Sequence, residues 1–320
     1  AENGVAAILS VMRNNPDVSD NTQEMIAKTM ANCASQPQLR GTMVQQGVVP
    51  LMTTIAKSEN QLAQESAAQT LAKIAITTDP MKFRSGVEFD MVVPLLKLTD
   101  SDNGLHQYEA CLALTNLASM NEAVREYMLK HKGFQALQYL MTVEDHRIMR
   151  AATECLCNLV QCGGIVTRLA RPGAAARNEL KMFVVLAAEA EDFETRRAAA
   201  GALASLSGCG NADLLGNLLS AEAGTSYGDV VYVLGEMLTI NEEMMHRAVV
   251  SLVNLAHYEP AAKRIKECVL NIQRDASGEE TAPVQLAALL EMVAGAGLST
   301  NETIVAAAQE VLRLLDEVAT

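Results

Sequence analysis

Aromatic side chains are scarce in this sequence. Only 3% of its 320 residues are aromatic and Trp is missing altogether, although 49% of the residues are hydrophobic. The core must therefore consist of Ala, Leu, Val and Met, which suit closely packed helices better than a β-sandwich. The 8 prolines and 19 glycines are too few for a disordered or fibrous chain. These absences indicate an all-α protein.

Positive charge is in deficit, and long apolar runs are missing. The formal net charge is -13 and the pI is near 4.9, which disfavours nucleic acid or an anionic membrane as the general partner. No segment reaches the roughly 20 consecutive apolar residues that span a bilayer. The chain begins at Ala1 with neither a signal peptide nor an initiator Met. We therefore expect an excised part of a larger cytoplasmic protein.

Sequence motifs for catalysis, cofactors and metals are also missing. There is no P-loop, GxGxxG, HExxH or GxSxG motif, so we predict neither an enzyme nor a cofactor. The seven cysteines are odd in number and lie mostly in apolar stretches, which predicts a reducing compartment. Cys155, Cys157 and Cys162 have neither CxxC spacing nor a nearby His, so we expect core packing and no metal site.

One short pattern is present and recurs six times. A small residue is followed four positions later by a large apolar residue, and two positions further by a polar one. The clearest copies are Ala110-Leu114-Asn116, Ala152-Leu156-Asn158 and Ala248-Leu252-Asn254. The polar residue, here called the ladder position, falls at 32, 73, 116, 158, 205 and 254, in steps of 41 to 49 residues. Helical units of roughly this length are typical of HEAT and armadillo repeats.

A second pattern marks helix starts within the repeats. Gly47 is followed by Val-Val-Pro-Leu, and a similar run ends in Pro94 and Leu95. Proline suits the first turn of a helix, where its missing N–H has no partner anyway. Gly133-Phe134 predicts the same junction one repeat later.

Composition also predicts linkers and an end cap. Gly, Pro, Ser and Asp residues predict linkers over 76–90, 162–178 and 207–229, and the last two would account for the longest steps of the period. Two amphipathic segments, 283–296 and 302–318, predict helices that cap the end of the stack.

With these two patterns the chain resembles the armadillo family. The resemblance implies an all-α, right-handed superhelical solenoid of three-helix repeats. It also implies that the third helices line a concave groove, along which a ladder of Asn residues runs.

Within that class, four runs are similar to the UCS-domain proteins, a family of myosin-directed chaperones. The runs are 108–129, 150–160, 179–206 and 246–255. The resemblance implies two regions, armadillo repeats over 1–104 and UCS-like repeats with capping helices over 105–320. It implies a protein of actomyosin assembly that binds the myosin motor domain and assists its folding or protects it from aggregation. Many animal members bind Hsp90 through a TPR domain; nothing here resembles one, so we expect Hsp90 to use another region.

The ladder residues Asn116, Asn158 and Asn254 are the first candidates for the client groove. Their amides either bind the neighbouring repeat, which would serve stability, or clamp the main chain of a bound peptide, because Asn offers a donor and an acceptor.

The positions eight residues before the ladder flank it, about 12 Å away along the helix axis. They are expected to form one rim of the groove, acidic at its N-terminal end and basic at its C-terminal end. Tyr108 is the strongest candidate among them, since Tyr is enriched at binding hot spots. Glu154 lies one turn before Asn158 on the same face. The rim positions are Glu24, Glu65, Tyr108, Arg150, Arg197 and His246.

Several of the basic residues are also candidates for a docking strip. Arg196-Arg197, His246-Arg247, Arg147 and Arg150 would gather into a basic strip for an acidic partner loop, or would be ordinary solvated charges.

Two other functions compete with a chaperone. An import or catenin-like adaptor would bind short peptides, but the Trp that import adaptors place four residues before each Asn is replaced here by Leu112, Glu154 and Val250. A scaffold would self-associate through its end repeats.

Overall fold

The structure is a computed structural model that describes residues 2–15, 18–79, 86–221, 228–271 and 283–318. Within these residues it contains nineteen α-helices and one short two-stranded ribbon. The helices form two compact units, unit 1 (Ala1–Cys162) and unit 2 (Gly163–Thr320). Each unit has a core of Ala, Leu, Val, Ile and Met, with Phe134 and Phe183 as the largest fully buried side chains.

Unit 1 is a stack of helices in which long helices lie next to one another. The long helices α2, α5, α7 and α10 carry ladder positions 32, 73, 116 and 158, and each packs on the next. The helices of this unit are α1 (Glu2–Asn14), α2 (Asp20–Ala34), α3 (Pro37–Gln46), α4 (Val48–Ile55), α5 (Gln61–Thr77), α6 (Val87–Leu98), α7 (Gly104–Ala118), α8 (Glu122–Lys130), α9 (Gly133–Leu140) and α10 (His146–Leu159).

Unit 2 repeats the arrangement. The long helices α13 and α16 carry ladder positions 205 and 254, and α13 packs on α16 and α16 on α19. The elements are α11 (Gly163–Leu169), α12 (Ala174–Glu189), α13 (Phe193–Ser207), α14 (Ala212–Leu219), α15 (Val230–Met237), α16 (Glu242–Ala256), α17 (Glu259–Glu267), β1 (Val269–Leu270), β2 (Val284–Gln285), α18 (Leu286–Ala294) and α19 (Glu302–Glu317).

The three-helix order confirms the predicted repeat class. A short helix, a second helix and a long helix follow one another as α3–α4–α5 and α8–α9–α10 in unit 1. The same order recurs three times in unit 2 and ends with α17–α18–α19. The two predicted end helices are therefore present as α18 and α19.

Each helix that carries a ladder position, and the end helix α19, begins at a polar capping side chain. In each case a side-chain oxygen accepts a hydrogen bond from a backbone N–H of the first turn, a contact that stabilises a helix by about 1 kcal/mol. The caps are Ser19, Asn60, Asn103, Asp145, Asp192, Asn241 and Asn301.

In unit 1 the second helices of the repeats start where the backbone turns left-handed. Gly47 has φ of 92° before α4, and the predicted junction at Gly133 is confirmed, with Lys132 at φ of 66° before α9. The prediction that Pro94 opens a helix is wrong. Gly86, at φ of 96°, starts α6 at Val87, so Pro94 lies inside that helix. A glycine that adopts a positive φ decides the start, and the helix tolerates the proline further on.

The predicted linkers are partly wrong. Helix α11 and the start of α12 occupy most of 162–178, and α14 lies within 207–229. The long step from position 158 to 205 comes from the second helix, since α12 has 16 residues and α9 has 8. Between 76 and 90, helices α5 and α6 leave a gap that includes residues 80–85, which lie outside the described residues.

The ribbon was not predicted from the sequence. Val269 pairs with Gln285 and Leu270 with Val284, antiparallel, just before α18. Among the described residues no helix has the length and apolar content needed to cross a bilayer.

Candidate binding surface on the long helices

The ladder asparagines of unit 1 bind the preceding long helix. Asn116 Nδ2 donates to the carbonyl oxygens of Ala75 (2.9 Å) and Ile76 (3.1 Å), in the last turn of α5. Asn158 Nδ2 donates to the carbonyl oxygen of Thr115 in α7 (3.2 Å). The last carbonyls of a helix have no intrahelical partner, so the Asn116 amide supplies donors at the end of α5. The Thr115 carbonyl accepts from the Asn158 amide as well as from the backbone N–H of Ser119. The structural role considered for the ladder is therefore present.

The amide oxygens of the same side chains are unused. Within the described part of the chain, Oδ1 of neither Asn116 nor Asn158 accepts a hydrogen bond, and both side chains are half-buried. An acceptor on the surface of the stack can bind a main-chain N–H of a partner. The two roles considered for Asn are thus compatible, because they use different atoms of one amide.

Lysine takes the same place in α5. Lys73 Nζ donates to Ser35 Oγ (3.0 Å), the residue that ends α2. A long helix in unit 1 is thus tied to its predecessor by the ladder side chain even where that residue is not Asn. What these ladder positions share is therefore a contact with the end of the preceding long helix, and not one residue type.

In unit 2 the hydrogen bonds of the ladder residue Asn254 are longer than those of Asn217, which does not occupy a ladder position. Asn254 Nδ2 lies 3.3 Å from Ser207 Oγ and 3.5 Å from the carbonyl oxygen of Ala204. Asn217 of α14 is buried and donates to the carbonyl oxygens of Leu169 and Arg171, both at 2.9 Å. Sequence reasoning missed Asn217; the signal was an Asn inside the apolar run Leu-Leu-Gly-Asn-Leu-Leu.

The acidic rim positions bind the start of the next long helix. Glu24 accepts from Asn60 Nδ2 (3.1 Å) and pairs with Lys28 (2.6 Å). Glu65 accepts from Ser101 Oγ (2.5 Å) and lies 2.8 Å from His106 Nδ1. The hydrogen bond from Ser101, with a smaller contribution from His106, lowers the pKa of Glu65. These carboxylates therefore join repeats as well as lying on the rim.

Tyr108 occupies the next rim position, in α7. Its side chain is half-buried, and it is near enough to the Arg147 guanidinium to contribute to that group's raised pKa. Arg147 itself forks onto Asp145, with Nη2 at 2.9 Å and Nε at 3.2 Å. That hydrogen bonding, reinforced by the backbone N–H groups of α10, lowers the pKa of Asp145 to about 2. Arg150 and Glu154, further along α10, are half-buried.

The arginines of unit 2 are balanced by neighbouring carboxylates. Arg197 pairs with Glu194 (2.5 Å) and Glu243 (3.7 Å), and Arg247 pairs with Glu243 (3.1 Å). Arg196 donates to the carbonyl oxygen of Ala190 (2.7 Å). These partners reduce the positive potential that a docking strip needs. His246, one residue before Arg247, is exposed.

The cysteines pack as predicted for core residues. Cys155 is buried, and burial raises the pKa of its thiol to about 12. Cys162 is also buried, with Sγ 3.1 Å from Glu126 Oε1, and Cys157 is half-buried. A thiol kept protonated by burial is a poor nucleophile and metal ligand. Among the described residues no cluster of three or more His, Cys, Asp or Glu side chains is placed to hold a metal ion.

Several curated proteins similar to this chain are named protein unc-45 homolog B. It is 30% identical over 266 residues to protein unc-45 homolog B of Xenopus tropicalis, an alignment that covers 82% of this chain and 28% of that protein. The mouse (Mus musculus) homolog B is 34% identical over 191 residues, covering 59% of this chain and 20% of the relative. The chain thus spans less than a third of these relatives. No family model matches it.

Solved structures agree on the fold. UNC-45 from Drosophila melanogaster superposes with a TM-score of 0.79 at 28% identity, over 93% of this chain and 35% of that one. The chain belongs to the UNC-45 family. The resemblance to UCS-domain proteins is thereby confirmed.

Two solved structures of lower sequence identity have a similar fold. The myosin chaperone UNC-45 from C. elegans, in complex with an Hsp90 peptide, gives a TM-score of 0.77 at 23% identity, over 96% of this chain and 31% of that one. A designed armadillo repeat protein gives 0.64 at 21% identity, over 83% of this chain and 99% of that one. This member of the UNC-45 family therefore has an armadillo-type all-α fold.

Proposed function

We propose that this chain is a myosin-directed chaperone region that binds the myosin motor domain and protects it from aggregation or assists its folding. The observation that carries the proposal is its membership of the UNC-45 family, since a solved relative is described as a myosin chaperone. The family relationship supports myosin as the client. The proposed binding surface rests on the contacts of the long helices described above.

The long-helix surface suits a holding function. Within unit 1 the ladder residues tie each long helix to its predecessor, so the surface is rigid before a client arrives, which lowers the entropic cost of binding. The amide oxygens of Asn116 and Asn158 offer acceptors, and Tyr108 offers apolar area with a polar tip. We propose the same role for Arg150 and Glu154 in unit 1, and for Arg197, His246, Arg247 and Asn254 in unit 2.

The proposed function is binding without catalysis. UNC-45 proteins and armadillo scaffolds, the relatives of this chain, are not enzymes. The cluster of Ser101, His106 and Glu65 does not have the geometry of a catalytic triad. Ser101 Oγ and Glu65 Oε1 both lie beside Nδ1 of His106, at 3.3 Å and 2.8 Å. A catalytic Ser lies at the ring nitrogen opposite to the acid.

Further parts of the proposal concern the whole protein. We propose a cytoplasmic protein in which repeats 1–104 precede UCS-like repeats 105–320, and in which Hsp90 binds outside these residues. The C. elegans relative, whose solved complex contains an Hsp90 peptide, supports Hsp90 as a partner.

An aggregation assay with a matched pair of variants tests the function. Purified myosin motor domain is heated with wild type, Tyr108→Ala or Tyr139→Ala, without ATP, and light scattering is recorded. Tyr139 lies on the second helix α9 and is 67% exposed, so its variant removes the same side chain from another face. We expect wild type and Tyr139→Ala to suppress scattering and Tyr108→Ala to suppress it several-fold less.

The outcomes test the identity of the client and the location of its binding surface separately. If wild type neither binds the motor domain nor suppresses scattering, the chaperone proposal fails and only the armadillo fold stands. If both variants protect as well as wild type does, the myosin function stands but the long-helix surface is not where the client binds.

The alternative is an adaptor or scaffold that binds extended peptides of another partner. The unused amide oxygens of Asn116 and Asn158 favour it, because they would serve any extended main chain. Binding of unfolded peptides of unrelated sequence with equal affinity, and no preference for the motor domain, would support the adaptor.

A further inference from the structure

A cleft opens in unit 1 between two successive loops, beside the rim position Glu65. It has a volume of about 1090 Å³ and lies between the loop that joins α4 to α5 and the loop that joins α6 to α7. Small-molecule pockets usually measure about 300 to 1,000 Å³. The space is therefore large enough for side chains of a bound polypeptide, and no segment of the described chain fills it.

Its lining is strongly acidic. Glu59, Glu65, Asp100 and Asp102 line the cleft, against Lys97 and His106. Glu65 is held by Ser101 and His106, but in the described part of the chain the other three carboxylates form no ion pair. Some other carboxylates of unit 1 are paired, as in Glu24–Lys28 and Arg147–Asp145. The cleft thus combines space with negative charge that the protein leaves uncompensated.

Two exposed leucines flank the cleft. Leu62 and Leu105 each directly follow a lining residue, and they are 52% and 56% exposed. They occupy the same register, two residues after the caps Asn60 and Asn103, on helices that pack on each other. The two leucines therefore offer exposed apolar area next to lining residues of the charged cleft.

We propose that this cleft is a second docking site, which binds an extended segment of a partner protein that carries alternating basic and apolar residues. Its Arg or Lys side chains enter the cleft beside Glu59, Asp100 and Asp102, and its apolar side chains lie on Leu62 and Leu105. A bare metal ion does not suit the site, because the described residues bring no three ligands together. The docking site does not depend on the identity of the client bound at the ladder.

Helix stabilisation alone would also place acids here. Glu59 and Asp102 directly precede the caps of α5 and α7, where negative charge favours a helix N-terminus. Glu144 precedes the cap of α10 in the same way, and Asp20 lies in the first turn of α2, yet neither lines the cleft. The variant Asp20→Asn/Glu144→Gln therefore removes the same charge as Glu59→Gln/Asp102→Asn, also from the N-terminal ends of long helices.

Fluorescence anisotropy with defined peptides tests the site. The probe is a fluorescein-labelled peptide of alternating Leu and Arg, about eight residues long, which spans about 26 Å when extended. Peptides with Glu in place of Arg, or Ala in place of Leu, are the probe controls. Thermal unfolding of each variant checks that it is folded.

We expect the Leu–Arg peptide to bind wild type and Asp20→Asn/Glu144→Gln equally. Its Kd should rise at least about fivefold with Glu59→Gln/Asp102→Asn, and also with Leu62→Ala/Leu105→Ala. The inference is overturned if wild type does not bind this peptide, if the Leu–Glu peptide binds as tightly, or if the acidic variant and its matched control bind alike.

Discussion

Asn116 connects the ends of two long helices, and removing it tests whether the ladder stabilises the stack. The variant Asn116→Ala deletes two hydrogen bonds to the carbonyl oxygens of Ala75 and Ile76, at 2.9 and 3.1 Å. Each such bond contributes about 0.5 to 1.5 kcal/mol, so the free energy of unfolding should fall by about 1 to 3 kcal/mol. Ala is the better helix former by up to about 0.7 kcal/mol, which offsets part of the loss.

A matched variant isolates the hydrogen bonds. Asn32 takes the same ladder position in α2, but it is exposed and forms no side-chain hydrogen bond within the described residues. Asn32→Ala should therefore show only the helix-propensity gain, and the difference between the two variants should be about 1 to 3 kcal/mol. Asn116→Asp should be worse than Asn116→Ala, because it places a carboxylate against two carbonyl oxygens.

Urea unfolding followed by circular dichroism at 222 nm measures these differences. The midpoint for Asn116→Ala should move to lower urea, and that for Asn32→Ala should stay or rise slightly. If both variants shift by the same amount, the ladder amide does not stabilise the helix pair and the reasoning is refuted.

Three further results are expected. Asn241→Ala removes the cap of α16 and should cost about 1 kcal/mol of unfolding free energy, whereas Asn241→Ser should restore most of it, as urea titration would show. Gly133→Ala should lower the melting temperature, because the new Cβ would lie 2.9 Å from a backbone carbonyl oxygen of α8, whereas Gly41→Ala meets nothing within 4 Å and should raise it slightly. The pKa of Asp145 is about 2 in the folded protein beside Arg147, against about 3.9 in the unfolded chain. The ionised carboxylate therefore stabilises the fold above about pH 4 to 5, and this stabilisation is lost as the pH falls towards 2. Asp145→Asn should show a smaller drop in melting temperature between pH 5 and pH 3 than wild type, and an equal drop would contradict the pKa assignment.

The helical class and the repeat could be predicted because both depend on local chemistry. The near absence of aromatics left only small and aliphatic core residues, and the ladder pattern gave six of the long helices. The caps were readable as well: a Ser, Asn or Asp lies before each of these helices and before α19, although only the structure showed that all seven accept a backbone N–H. The family resemblance rested on runs of sequence such as 108–129.

The functional surface depended on contacts between residues far apart in the chain. Asn116 has its partners some 40 positions earlier, and Glu65 meets Ser101 and His106 only because α5 packs on α7. That packing decides whether the nitrogen or the oxygen of an Asn amide is bonded, and whether a carboxylate has a partner. Neither can be read from the residues nearby in the sequence.

Tertiary structure also decided which of the predicted charges are paired and where one of the helices begins. The pattern placed Arg197 and Arg247 on a basic strip, but carboxylates of their own and the neighbouring helix pair with them. Pro94 resembled a helix start, but α6 follows Gly86 and begins at Val87, seven residues before Pro94. The sequence alone determined the helices and their period, because those depend on neighbours along the chain; the structure determined the partners of each polar side chain, because those depend on which helices lie side by side.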